Sequence, residues 1–387
     1  MELSNRLDLF KEGIFTTMLK MKQERLAQGL PVYDISTGTP NIPPCERIRK
    51  VLSEASYDPS NYIYSLSEIK DLQVAVKNWY KNRYHVDIDP VTEMTSVLGS
   101  QEGLGHICMA LTNPNDIVLV PDPCYPIFKD GALLAGCNVV TYDLKRENDY
   151  LIDFKSIDED LAYKAKLIIV SYPNNPTCAT ANADFYNELI AWAKKYDVMV
   201  VHDNAYSELI YEEVGHSFLE YEGAKDIGIE LNSLSKTYGL AGARVGFILG
   251  NKTMIAGIKK IMSNISFGTF IPIQRAAIEA ISGDQSIVEE TRNAYKHRRD
   301  LLWEGCKSIG WEFDKPKGSM FAWAKIPDKY ETSEAFMKDL FNKTGIQVIP
   351  GSAFGKNGEG YVRMALIQND DVIEKCIQLM KDSKIFD

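Results

Sequence analysis

With 387 residues the chain is too long for one core of ordinary size, and it predicts two domains that each bury a substantial apolar interior. Hydrophobic residues make up 45% and charged residues 25%, the balance of a globular chain and not of a disordered or fibrous one. A formal net charge of −10, with no Lys/Arg run long enough to track a phosphate backbone, argues against nucleic acid as a partner.

The start, Met1-Glu2-Leu3-Ser4-Asn5-Arg6, lacks the basic, apolar and small-residue regions of a secretory signal. Apolar stretches such as Leu167 to Val170 and Val198 to Val201 are far too short to cross a bilayer, so no membrane partner is expected. The seven cysteines are scattered and show no Cys-x-x-Cys pair or His-rich companion. These features predict a cytoplasmic, reduced, metal-free protein.

In chain order, Gly99-Ser100-Gln101-Glu102-Gly103 follows the β-rich Ser96-Val97-Leu98 and opens a helix to about Leu111. Up to Gly250, short β-rich runs then alternate with helix-like segments: Ile117–Val120, Val139–Tyr142, Leu167–Tyr172, Val198–His202, Ile227–Leu231 and Val245–Leu249. The alternation predicts an α/β domain around a largely parallel sheet. Because the runs are continuous Val/Ile/Leu, helices should cover both faces, and ligands should bind beyond the carboxyl ends of the strands. Long helical segments follow (Met254–Ser263, Pro272–Ser282, Ser286–Ile309). Beyond Trp311, candidate strands Met320–Ala324 and Tyr361–Ala365 with helices Ser333–Lys343 and Asp370–Lys381 predict a smaller α+β domain.

The most informative stretch is Asn232-Ser233-Leu234-Ser235-Lys236-Thr237-Tyr238-Gly239-Leu240-Ala241-Gly242-Ala243-Arg244-Val245-Gly246-Phe247. It resembles the Ser-x-Ser-Lys…Gly-x-Arg-x-Gly signature of the fold-type I aminotransferases (the class I/II family), which use pyridoxal 5′-phosphate. A lone lysine is more often a solvated surface residue, but its matched neighbours reverse that preference. The resemblance makes Lys236 the catalytic residue, since its amine can form an imine with the cofactor aldehyde and, once released, move protons on the substrate carbon. It makes Arg244 the two-point grip on the phosphate, with Ser233 and Ser235 adding small hydroxyl donors.

Further segments match in family order from about Tyr33 to Leu366. Gly99–Gly103 is similar to the phosphate cup, where N–H groups at a helix N-terminus meet an anion; Ser100, Gln101 and Glu102 are its candidates. The segment lacks Gly-x-Gly-x-x-Gly, and no Gly-Lys-Ser/Thr follows four spacers anywhere, so dinucleotide and nucleoside triphosphate readings lose. In Asp122-Pro123-Cys124-Tyr125-Pro126 the resemblance assigns Tyr125 to cover the pyridine face. Tyr172-Pro173-Asn174-Asn175-Pro176-Thr177 resembles the Asn-Pro-Thr-Gly loop, with Asn175 reaching the cofactor's phenolic oxygen and the substrate carboxylate. Cys178 stands where the family usually has glycine; if that glycine needs a positive φ, the turn here is altered or strained. Val201-His202-Asp203-Asn204-Ala205-Tyr206 supplies Asp203 to keep the ring nitrogen protonated and Tyr206 to bond the phenolate, while His202 reads as a packed strand-end residue. An isolated Asp there would cap the next helix, but its place 33 residues before Lys236 favours the functional role.

Gly360-Tyr361-Val362-Arg363-Met364-Ala365-Leu366 resembles the strand whose arginine, here Arg363, binds the substrate α-carboxylate. Gly38, in Ile35-Ser36-Thr37-Gly38-Thr39-Pro40, matches a glycine that lets backbone approach the substrate; Thr39 replaces a residue often acidic in relatives. Tyr64, in Tyr62-Ile63-Tyr64-Ser65-Leu66-Ser67-Glu68, matches a tyrosine that reaches a neighbouring subunit's phosphate, with Tyr62 competing and Glu68 in a glycine's place.

The resemblance implies a fold-type I transferase: a large pyridoxal-phosphate-binding α/β domain at 46–283, with 1–45 and 284–387 forming a small α+β domain. It implies a homodimer with shared active sites. Its activity would be ping-pong transfer of the α-amino group of a small L-amino acid to a 2-oxo acid. A carbon–sulfur β-lyase of the same fold is the alternative, and an LL-diaminopimelate aminotransferase another. In that last branch asparagine is expected before the glycine of Phe267-Gly268-Thr269; Phe267 offers no polar contact to a distal amino-carboxylate and favours a neutral or apolar side chain.

Overall fold

The computed structural model describes residues 2–10 and 14–387, so Met1 and residues 11–13 of the expected N-terminal segment lie outside it. Its strands are β1 (Tyr33–Asp34), β2 (Met94–Val97), β3 (Ile117–Asp122), β4 (Asn138–Asp143), β5 (Ala165–Ser171), β6 (Met199–Asp203), β7 (Gly228–Ser233), β8 (Gly246–Gly250), β9 (Phe321–Lys325), β10 (Ile346–Gln347), β11 (Ile349–Pro350) and β12 (Tyr361–Ala365). A seven-stranded sheet has the order β2-β8-β7-β6-β5-β3-β4.

Both faces of this sheet are buried, as the unbroken apolar runs require. Ile168 and Val170 of β5 enter one core with Trp79, Leu189 and Ala276, while Leu167 and Ile169 enter the other with Leu104, Phe128 and Ile258. The two-residue alternation of a strand thus distributes one run of Val/Ile/Leu between two helical layers. The helix Ala183–Tyr196 illustrates how local signals deliver the next strand. Asn182 caps it by accepting from the Phe185 N–H at 3.1 Å, and Asp197 ends it in the left-handed region at φ 56°, two residues before β6.

The sheet departs from parallel at one strand. β8 runs antiparallel to both β7 and β2, whereas β7, β6, β5, β3 and β4 pair in parallel. Because β8 runs backwards, its first residue Gly246 pairs with Ser233 at the carboxyl end of β7 and with Val97 at the carboxyl end of β2. The residues before β8 therefore meet the residues after β2 and β7 at one edge.

A third core joins the helices Ser286–Ser308, Ser333–Thr344 and Asp370–Asp382 to the antiparallel sheet β11-β12-β9. Met18 and Ile35 belong to it, and β1 pairs in parallel with β10. The N-terminal segment is thus built into the C-terminal part of the chain. Cys178, Tyr206 and Leu209, from loops at the carboxyl ends of β5 and β6, enter the same core and seal it against the large sheet. No helix among the described residues is long and apolar enough to cross a membrane.

Candidate active site

Beyond the carboxyl ends of β5, β6 and β7 lies a cavity of about 710 Å³. Lys236 lines it from the short helix Leu234–Thr237, and its Nζ donates to the Gly38 carbonyl at 2.9 Å. Burial, together with the nearby Arg363 and Arg244, brings its pKa down to about 8, with Asp203 opposing. A substantial share of this amine is therefore neutral, and nucleophilic, near physiological pH.

Asp203 ends β6 at 6% exposure and accepts from the Ala205 N–H at 3.2 Å. Desolvation pushes its carboxyl up to about 6 against the pull of His202 and Lys236. A carboxylate held out of water in this way gains most from a cationic N–H partner. His202 behind it is fully buried, Nδ1 3.0 Å from Glu230 Oε2 and Nε2 3.3 Å from the Tyr186 hydroxyl. It packs under the site and does not line it.

Arg363 enters from β12 at 5% exposure. Its Nη1 donates to Asn175 Oδ1 at 2.8 Å and its Nη2 to the Ser36 carbonyl at 3.0 Å, while Nε has no hydrogen-bond partner among the described residues. The guanidinium lies 4.0 Å from the Phe321 ring centroid and 4.8 Å from that of Phe354. Burial lowers its pKa to about 10, which leaves it cationic at neutral pH. A buried cation with an unspent donor is the recognition element that a carboxylate completes.

The loop carrying Asn175 is shaped by its neighbour. Asn174 is fully buried, and its Oδ1 accepts from the Thr177 N–H at 3.0 Å and hydroxyl at 2.8 Å, which turns the chain so that Asn175 faces the cavity. Cys178 then takes φ 65°, the left-handed conformation that a glycine adopts without cost. Its thiol donates to the Phe321 carbonyl at 3.2 Å, and its own carbonyl accepts from the Gly318 N–H at 3.2 Å.

The reversed β8 brings the anion-binding candidates together. Ser100, Gln101, Ser233, Ser235 and Arg244 all line the cavity. Gly99, at φ 82°, sits where the guanidinium of Arg244 passes, so a Cβ there would collide with it. Gly38 is tight too: a Cβ would lie 2.8 Å from Phe321 Cζ. Tyr125 and Tyr206 both line the cavity. The Tyr125 hydroxyl donates to Gln101 Oε1 at 2.9 Å, and the Tyr206 ring meets Phe321 edge-on with centroids 5.9 Å apart. Burial raises both phenols, keeping them protonated donors.

Two expected residues stand elsewhere. The Glu102 carboxylate turns away from the cavity, because Oε2 takes the Leu98 N–H at 2.7 Å and Oε1 the Ser266 hydroxyl at 2.9 Å. A second anion beside a phosphate would also repel it, so this side chain does not serve the cup, whose expected donors are the backbone N–H groups at the helix start. Tyr64 is 77% exposed, packs on Phe267 with centroids 4.8 Å apart, and does not line its own chain's cavity. Glu68, in the same loop, is buried and accepts from the Ser96 N–H, and Gln274 Nε2 donates to the Ser65 hydroxyl at 2.7 Å, so the loop is pinned from two sides. Tyr62 is directed elsewhere by its 2.8 Å bond to the Ser56 carbonyl.

Sequence reading missed Phe321 and Phe354, whose rings both pack on the Arg363 guanidinium. The pairing Arg363↔Trp323 and Ala365↔Phe321 sets Phe321 beside the arginine, and pairing is not written in either strand alone. Asp130 and Ile127, at the start of the helix Ile127–Leu134, also line the cavity and follow Tyr125 closely enough to have been candidates.

These residues fit pyridoxal phosphate. The cup at Gly99 leaves room for Arg244 beside an anion, Asp203 offers a desolvated carboxylate, and Lys236 offers a partly neutral amine. Comparison with known proteins agrees. The model of the family "Aminotransferase class I and II" matches residues 29–378. An LL-diaminopimelate aminotransferase of Halothermothrix orenii is 42% identical over 387 residues, covering 100% of this chain and 99% of that protein. One from Aquifex aeolicus is 40% identical over 386 residues, 99% of this chain and 100% of that protein. A substrate-bound structure of BacF from Bacillus subtilis superposes with a TM-score of 0.96 at 34% identity, covering 99% of this chain and 98% of that one. The chain belongs to the class I and II aminotransferases and is a pyridoxal-phosphate-dependent enzyme of that family.

Proposed function

We propose that the enzyme moves the α-amino group of a small L-amino acid to a 2-oxo acid by a ping-pong route. It works as a cytoplasmic homodimer in which Tyr64 of each subunit completes the other's site. Residues 46–283 form the large domain, and 1–45 with 284–387 the small one. The observation that carries the reading is the meeting of Lys236, Asp203 and Arg363 in one cavity, with Nε of Arg363 left unspent.

Pyridoxal phosphate, when bound, supplies an aldehyde that exchanges for the amino group and a ring that draws electrons from the substrate α-carbon. Asp203 would hold the proton on the ring nitrogen that makes this withdrawal strong. Ser100, Gln101, Ser233, Ser235 and Arg244 would hold the phosphate, and Asn175 and Tyr206 would donate to the phenolic oxygen. Tyr125 would cover the ring and exclude water. Arg363, steadied by Asn175 and the Ser36 carbonyl, takes the substrate carboxylate and sets the α-hydrogen toward Lys236. Lys236 would take that proton and pass it to the carbon that entered as the cofactor's aldehyde, so that water can then release the 2-oxo acid and leave the amino group on the cofactor. Gly38 lets its carbonyl sit within bonding distance of the Lys236 amine, steering it.

A second reading, with LL-diaminopimelate as donor, is favoured by the names of the relatives at 42% and 40% identity. Against it stands Phe267, whose ring packs on Tyr64 and offers no polar atom to a distal amino-carboxylate. A donor panel of common amino acids and LL-diaminopimelate, with pyruvate, oxaloacetate or 2-oxoglutarate as acceptor, separates the two. Parallel double-reciprocal lines and preferred turnover of a neutral donor are expected. Preference for LL-diaminopimelate by about tenfold in kcat/KM would replace the first reading with the second. Pyruvate released from cystathionine without any 2-oxo acid would instead indicate a β-lyase.

A further inference from the structure

A second cavity, of about 580 Å³, lies outside the active site and shares none of its lining residues. Trp79, Ile281 and Val288, each buried, form an apolar wall. Arg83, Glu208 and Arg292 form a charged floor.

The floor is unbalanced. Glu208, 4% exposed, receives Arg83 Nε at 2.7 Å and Nη2 at 3.1 Å, Arg292 Nη2 at 3.1 Å and the Tyr84 hydroxyl at 3.4 Å. Its acceptor capacity is filled. Each guanidinium, by contrast, keeps Nη1 without a hydrogen-bond partner among the described residues. Two fixed cations thus share one buried carboxylate, and the remaining acid of the lining, Glu289, sits exposed at the rim. An oxyanion such as a carboxylate or sulfonate would use the spare donors, and the indole of Trp79 with the two aliphatic side chains would cover a flat apolar body attached to it. The volume is that of a small-molecule site.

We propose that this cavity is a second binding site, for a small organic anion carrying a flat apolar body. Its lining includes Glu208, from the segment that carries Tyr206, and meets the segment that carries Lys236 through one hydrogen bond. Glu208 lies two residues after Tyr206, and its carbonyl accepts from Arg292 Nε at 2.8 Å. Gln285, in the lining, accepts from the hydroxyl of Tyr238, two residues after Lys236, at 2.7 Å.

The test uses the holoenzyme and the fluorescent probe 1-anilinonaphthalene-8-sulfonate. Saturable binding of about one molecule per chain is expected, unaffected by a saturating amino-acid donor. Arg292→Gln, which leaves Glu208 paired with Arg83, weakens it by about tenfold or more, and so does Asn78→Trp, which fills the cavity from an exposed rim position without touching the ion pairs. Both variants keep the cofactor absorbance and turnover of the wild type, which shows that they fold. The uncharged N-phenyl-1-naphthylamine binds at least about tenfold more weakly than the sulfonate. Displacement of the probe by the donor, binding unchanged in both variants, or equal affinity for the uncharged analogue would each overturn the proposal.

Discussion

Nη1 of Arg363 donates to Oδ1 of Asn175 across 2.8 Å, joining two residues 188 positions apart in the chain. The bond fixes the plane of the guanidinium, and Nε, without a partner among the described residues, is the donor that the proposed reading gives to the substrate. Arg363→Lys keeps the charge and loses that plane. Catalytic efficiency should fall by about 2–4 kcal/mol in transition-state binding, while the cofactor absorbance survives. Steady-state kinetics with the preferred donor, beside an absorbance spectrum, checks both halves.

Asp203 should make the apoenzyme less stable at neutral pH. Its folded-state pKa is raised from 3.8 to about 6 by desolvation, so the cost of the ionised form sets in as pH rises above the lower value and is complete above the higher one. Two pKa units correspond to about 3 kcal/mol. Apo Asp203→Asn should therefore be more stable than apo wild type at neutral pH by up to that amount, with the difference vanishing toward pH 4. Denaturant unfolding at several pH values measures it, and the same variant should lose activity once cofactor is added.

Lys236 must be neutral to capture the aldehyde, and its pKa is lowered to about 8 by burial and by Arg363 and Arg244. The rate of reconstitution of apoenzyme with pyridoxal phosphate should rise with pH through that value. Removing one of the neighbouring cations by Arg363→Gln should shift the profile to higher pH. Stopped-flow absorbance gives both curves, and borohydride should then fix the cofactor to the peptide containing Lys236.

Shared sites have a distinctive signature in mixed dimers. Lys236→Ala and an inactivating Tyr64 variant, exchanged at equal concentration, should regain about one quarter of wild-type activity, since each mixed dimer holds one site with both residues intact. Native mass spectrometry verifies the exchange. Verified exchange without recovery assigns Tyr64 to its own subunit's Lys236.

Cys178 reverses a familiar order of substitution. Alanine loses the thiol contact to the Phe321 carbonyl and keeps the left-handed strain, which for a residue with a Cβ is about 1–2 kcal/mol. Glycine loses the same contact and relieves the strain. Cys178→Gly should unfold at a higher temperature than Cys178→Ala, as calorimetry of the two holoenzymes would record.

Much of this architecture was legible in the sequence. Strand runs such as Leu167–Tyr172 announced a sheet buried on both faces, and the stretch around Lys236 announced the cofactor. The direction of β8 was not legible, because its five residues read the same either way and direction is settled only by its partners. The turning away of Glu102 was hidden for a related reason. A glutamate in the first turn of a helix serves an anion through its backbone N–H or caps the chain with its carboxylate, and here the Leu98 N–H claims the carboxylate. The role of Phe321 emerged only from the cross-strand register with β12.

The backward course of β8 also sets a timetable. The proposed phosphate pocket draws on the end of β2, the end of β7 and the approach to β8, and β2 pairs within the sheet only with β8, Val97 lying opposite Gly246, 149 residues later. A nascent chain therefore makes β2 long before its partner exists, and under the proposed reading it cannot grip the cofactor until that pairing, the most distant in the seven-stranded sheet, closes. Cofactor capture then reports the completion of the whole sheet during biosynthesis.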